Sequence, residues 1–161
     1  MQATGWVVPS WVVPLVTIIG SCIVSLSNYA VQRWRYGADR LTVAIDHLCG
    51  EINAAARRAS DYWLLGEGAD NDRQQRELEL IGLQDRIQQL ISAVQEQDPK
   101  LDLDAAAASV MDLFDSMTGG AFRVSGRGPD LVRAGRVYTV AAALTGQLRI
   151  AVARRVRSFW G

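Results

Sequence analysis

Residues 1–32 carry no charged side chain, and Arg33 and Arg35 then arrive on either side of Trp34. A helix needs about 20 consecutive, mainly apolar residues to cross a bilayer, so an uncharged run of this length reads as a membrane span. Pro9 and Pro14 suit the first turns of a helix, because proline lacks the N–H donor that an interior turn requires. The expected span is therefore Val12 or Pro14 through Val31, about 19 residues or roughly 28 Å at 1.5 Å per residue. Trp6 and Trp11 at one end, and Tyr29, Trp34 and Tyr36 at the other, fit the two aromatic belts of a membrane interface. A secretory signal fits poorly, since no Lys or Arg precedes the run, the run from Trp6 to Ala30 is too long, and no A-x-A site follows.

Arg33, Arg35 and Arg40 flank only the C-terminal side, and the positive-inside rule then orients the chain. The expected organisation is a short extracytoplasmic tail (1–11), a transmembrane anchor with a basic and aromatic junction (12–36), and a cytosolic helical bundle (37–161). Such a plan belongs in a bacterial inner membrane, and it resembles small bacterial membrane proteins in outline alone. Arg33, Trp34, Arg35 and Tyr36, with Trp11 opposite, are the expected interface residues.

One face of the span is polar. Thr17, Ser21, Ser25, Asn28 and Gln32 recur every three or four residues, which at about 100° per residue confines them to an arc of roughly 80°, with Gly20 beside it. Small and polar residues on one face allow close approach and interhelical hydrogen bonds in lipid, so this face is a candidate for self-association. The competing reading has the hydroxyls bonding their own i−4 carbonyls, with Asn28 and Gln32 at the headgroups.

The remainder is expected to be all-α. Leu41, Ile45, Leu48, Ile52, Ala55, Ala59 and Tyr62 alternate by four and three, the pattern of a packed helical seam. The segment Gly66–Asn71 is a turn, and Gly37 is a candidate hinge. Leu80, Leu83, Ile87, Leu90 and Val94 give a second stripe, which Pro99 ends. Asp102 or Asp104 can cap a third helix carrying Leu103, Ala107, Val110, Leu113 or Phe114, and Met117. Gly119 and Gly120 stop it. Asp130 caps a fourth, with Leu131, Ala134, Val137, Ala141, Leu144, Leu148, Ala151 and Val152 inward. Helices over about 38–65, 72–97, 103–118 and 130–159 with short links specify an antiparallel four-helix bundle. In that topology the C-terminus returns to the membrane end. Arg154, Arg155, Arg157, Phe159 and Trp160 would then meet anionic headgroups.

Charge and chemistry narrow the function. The 17 basic and 17 acidic residues cancel, but the acids concentrate in 66–104 and the arginines after Arg123, as expected of facing helices or of a basic end at a lipid surface. No nucleic-acid partner is expected, because the C-terminal arginines lack interleaved stacking aromatics. Cys22 and Cys49 are too few for a disulfide framework. His47 is the single histidine, and Cys49 diverges from it by about 200° around a helix, so the two cannot share a metal. Glu77, Glu79, Asp85, Glu96 and Asp98 read as a solvated face. Arg123 and Arg127, in the glycine-rich segment 119–128, form a candidate loop for a partner or an anion, without the lysine and hydroxyl of a P-loop. No catalytic, cofactor or metal residues are expected. The leading expectation is a non-enzymatic, membrane-anchored interaction protein, homo-oligomeric or bound to a protein partner. The alternative is a holin-like or defence-toxin-like effector that perturbs the bilayer through its polar stripe.

Overall fold

In a computed structural model, described for residues 12–65 and 70–158, the chain forms four helices: α1 (Val12–Leu64), α2 (Asp70–Gln97), α3 (Asp104–Thr118) and α4 (Leu131–Arg157). All regular structure among these residues is helical, as a bundle requires. The tail 1–11 with Trp6, Pro9 and Trp11, the turn residues 66–69, and Phe159 and Trp160 lie outside the described residues. Contacts divide the chain into two compact units, 1–39 and 40–161.

The described part of unit 1 is the first part of α1. Among the described residues no helix is long and apolar enough to cross a membrane, so the transmembrane helix expected within 12–36 is not supported. Thr17, Gly20, Ser21, Ser25, Asn28 and Gln32 interrupt the apolar side chains, and Arg33 and Arg35 follow at once. Gly37 is no break either, because α1 continues through it. Glycine lowers helix propensity by about 1 kcal/mol, which a helix with good formers on both sides tolerates.

Unit 2 holds the core. The seam expected on α1 is buried throughout: Leu41, Ile45, Leu48, Ile52, Ala55, Ala59 and Tyr62 all face inward. Arg58–Glu79 and Arg86–Glu51 ion pairs, the latter at 2.8 Å, run α2 antiparallel to this part of α1. Leu80, Ile87 and Val94 bring the α2 stripe into the core, with Leu83 and Leu90 packed at its edge. The Gln84 amide donates to Phe114 O and Thr118 Oγ1 and ties α2 to the end of α3. At the start of α4, the Asp130 N–H donates to Trp63 O at 2.8 Å. About five turns later Arg149 lies 3.9 Å from Asp46, so α4 is antiparallel to α1. The up-down order places the end of α4 beside the start of α1 within unit 2.

Three local details differ from expectation. The N-cap of α3 is Leu103, without a side-chain cap, because this leucine is itself buried in the core; Asp102 Oδ1 instead accepts the Asp104 N–H. Ala106 takes the inward position and Ala107 is exposed. Leu131, in the first turn of α4, is exposed, and the buried stripe starts with Ala134. Asp130 caps α4 as expected, accepting the Arg133 N–H at 2.9 Å.

Candidate functional site

The most highly connected polar cluster lies at the end of unit 2 where α1 finishes. Trp63 is fully buried, and its indole N–H donates to Met117 O at 3.1 Å. Tyr62 stands edge-on to it, with centroids 5.3 Å apart, and its hydroxyl donates to Glu77 Oε1 at 2.9 Å. Arg73 Nε reaches the same oxygen at 3.1 Å, and its Nη2 donates to Val124 O. Glu77 therefore does not belong to the solvated acidic face expected of α2. It is a buried carboxylate made tolerable by a phenol and a guanidinium. The sequence offered one usable signal for this: Arg73 and Glu77 stand four apart on α2, with Arg73 one heptad before Leu80 of the buried stripe.

The glycine-rich connection is strapped to this cluster. Arg127 lies over both rings, 4.4 Å from the Tyr62 centroid and 4.3 Å from that of Trp63, and its Nη2 donates to Tyr62 O at 2.6 Å. Arg133 approaches Trp63 at 4.8 Å and donates to Asp115 O. Of the two loop arginines singled out as a partner-facing pair, Arg127 is thus turned onto the core. Arg123 is half-exposed, with its Nε 3.8 Å from Glu77 Oε2. Its backbone adopts φ +64°, a left-handed conformation held by the N–H bond to the Tyr62 hydroxyl.

The opposite end of unit 2 carries the C-terminal arginines. Arg154 and Arg157 are exposed. Arg155 is committed elsewhere: its guanidinium forks onto Asp98, Nε to Oδ2 at 2.7 Å and Nη2 to Oδ1 at 3.3 Å. Burial works to raise the Asp98 pKa, but the Arg155 fork and the Lys100 N–H outweigh it and hold the carboxyl below its ordinary value. The sequence could not reveal this pair, which joins residues 57 apart.

In unit 1, Arg33, Arg35 and Tyr36 are exposed and Trp34 is half-buried. Gly20, Ser25, Asn28 and Gln32 share the polar face with Thr17 and Ser21, whose hydroxyl donates to Thr17 O at 2.9 Å. At least this hydroxyl bonds its own helix.

Chemistry finds little purchase. His47 is exposed, 3.7 Å from Glu51. Burial pushes the Cys49 thiol pKa up, against a smaller opposing effect of Arg149, which keeps it protonated and inert. Among the described residues no group of three His, Cys, Asp or Glu side chains is placed to hold a metal. No family model, no curated protein and no solved structure matches the chain.

Proposed function

We propose that this chain is a non-enzymatic helical-bundle protein that the uncharged N-terminal segment holds at a membrane as self-associated helices, with the bundle in the cytoplasm as the partner-binding part. One observation carries the reading. Ile18, Ile19, Ile23, Val24, Leu26 and Tyr29 of unit 1 are each at least half exposed, on a helix with no charge before Arg33. Apolar surface left in water costs about 25 cal/mol per Å², so a helix of this make-up calls for lipid or a second copy against it.

The two coverings divide the helix between them. Ile19, Ile23 and Leu26 lie opposite the polar arc and suit acyl chains, whereas Thr17, Gly20, Ser21, Ser25, Asn28 and Gln32 suit a neighbouring helix. Pairing also accounts for a segment that is insufficiently apolar, over its described part, to cross alone. The exposed Arg33 and Arg35 then favour a cytoplasmic bundle, by the positive-inside rule.

The test is alkaline carbonate extraction of membranes from expressing bacteria, with labelling of Cys22 by a membrane-impermeant maleimide. Retention in the washed membrane with Cys22 protected is the expected result. Release into the supernatant, or full labelling of Cys22 in intact membranes, overturns the reading. The membrane-perturbing alternative uses the same polar arc and differs in what the assembly does to the bilayer. Depolarisation on induction, abolished by Ser21→Leu with Ser25→Leu, would favour that alternative.

A further inference from the structure

Between the start of α3 and the last turns of α4, unit 2 has a cleft of about 330 Å³. One wall is apolar, built from Ala105, Ala106, Ile150 and Ala151. The rim carries Lys100 and Arg154, and neither forms an ion pair among the described residues, in contrast to Arg155 beside them. The rim also carries Asp102, which keeps its charge while accepting the Asp104 N–H; with Asp98 paired to Arg155, Lys100 and Arg154 leave the rim net positive by one. The cleft is therefore positive at its mouth and greasy on one side.

Gln147 and Ser158 add polar side chains to the lining.

We infer that this cleft binds the phosphate headgroup of an anionic phospholipid, gripped between Lys100 and Arg154, with the first carbons of its tail along Ile150 and Ala151. The apolar wall adjoining the cations selects a lipid over a free phosphate. The inference rests on the membrane reading above. It adds to that reading a defined lipid site in place of a diffuse basic surface.

The full chain in nonionic detergent is titrated with dihexanoylphosphatidic acid, dihexanoylphosphatidylcholine and inorganic phosphate, and amide hydrogen exchange is followed over 98–106 and 147–158. Phosphatidic acid is expected to protect both segments saturably. Lys100→Gln and Arg154→Gln are each expected to weaken its binding about tenfold, the usual consequence of one lost charge-assisted contact. Both side chains sit at the surface, so the variants keep the fold, and Arg57→Gln, at an exposed position of α1, serves as the unaffected control.

The inference falls if phosphatidic acid protects nothing, if phosphatidylcholine does as well, or if the two variants bind like wild type. Inorganic phosphate binding as tightly as the lipid overturns the lipid assignment in favour of a simple anion site. Failure of either idea is distinguishable from failure of the other. A chain retained in carbonate-washed membranes that ignores phosphatidic acid refutes the cleft alone. A chain released by carbonate that still binds it refutes the anchoring alone.

Discussion

Replacing Arg127 separates three effects that the structure superimposes at one guanidinium. Its Nη2 bond to Tyr62 O, at 2.6 Å, is a hydrogen bond from a charged donor, worth about 1.5–3 kcal/mol. The faces of Tyr62 and Trp63 beneath it add about 0.5–1 kcal/mol each. Against these stands an opposing cost. Nε and Nη1 are buried and find no acceptor among the described residues, at about 1–3 kcal/mol for each unmade bond. The polar contributions thus nearly cancel, and what remains is the packing of the side-chain stem over the rings. Arg127→Ala removes that packing and should lower the stability of the full chain by about 2 kcal/mol. Arg127→Met keeps a stem of similar length and deletes the two orphan donors together with the good bond, so it should fall within about 1 kcal/mol of wild type. Urea unfolding followed by far-ultraviolet circular dichroism measures both. A methionine variant as damaging as alanine, or worse, would refute the reasoning, because the charge would then contribute what is here assigned to the stem.

Two further expectations follow from the same kind of accounting. Asp98→Asn and Arg155→Gln, combined in a double-mutant cycle, should show a coupling of about 1–2 kcal/mol at neutral pH, as befits a forked pair in which each partner is less than one-fifth exposed. Because the folded pKa of Asp98 is depressed, this contribution is fully present above the ordinary Asp value near 4 and is lost as pH falls through the depressed one; a coupling that persisted in strong acid would contradict the assignment. Gly119→Ala should destabilise by about 1–3 kcal/mol, since the added Cβ would stand 2.5 Å from the Asp115 carbonyl oxygen, a backbone atom that cannot swing aside. A thermal melt unchanged by that substitution would mean the turn after α3 relaxes freely.

What the sequence disclosed and what it hid divide along a physical line. Apolar periodicity is a local property, and it located the core of unit 2 well: the α1 seam from Leu41 to Tyr62 and the α4 stripe from Ala134 to Val152 are where alternation by three and four places them. The Asp130 cap of α4 was equally legible, whereas the cap expected of Asp102 or Asp104 on α3 is replaced by the buried Leu103. Polar partnerships across the bundle were not legible. Glu77 and Asp98 look like solvated acids along α2, and only the fold brings Tyr62 to one and Arg155 to the other. Arg127 looked like an exposed loop cation for the same reason, since nothing local to residues 119–130 announces the two rings at the end of α1.

The same limit applies to unit 1, with an instructive reversal. Absence of charge over 1–32 suggested a membrane span, yet the described helix is diluted by the polar arc from Thr17 to Gln32. Those residues serve the proposed assembly in proportion to how poorly they serve a solitary span. Each hydroxyl or amide on the arc lowers the gain from entering lipid alone and raises the gain from meeting a second helix. Anchoring and association are then a single equilibrium: Ser21→Leu with Ser25→Leu should tighten membrane retention while weakening oligomers seen by chemical cross-linking. Cross-linking that stayed unchanged or rose in that variant would show that the arc does not pair helices.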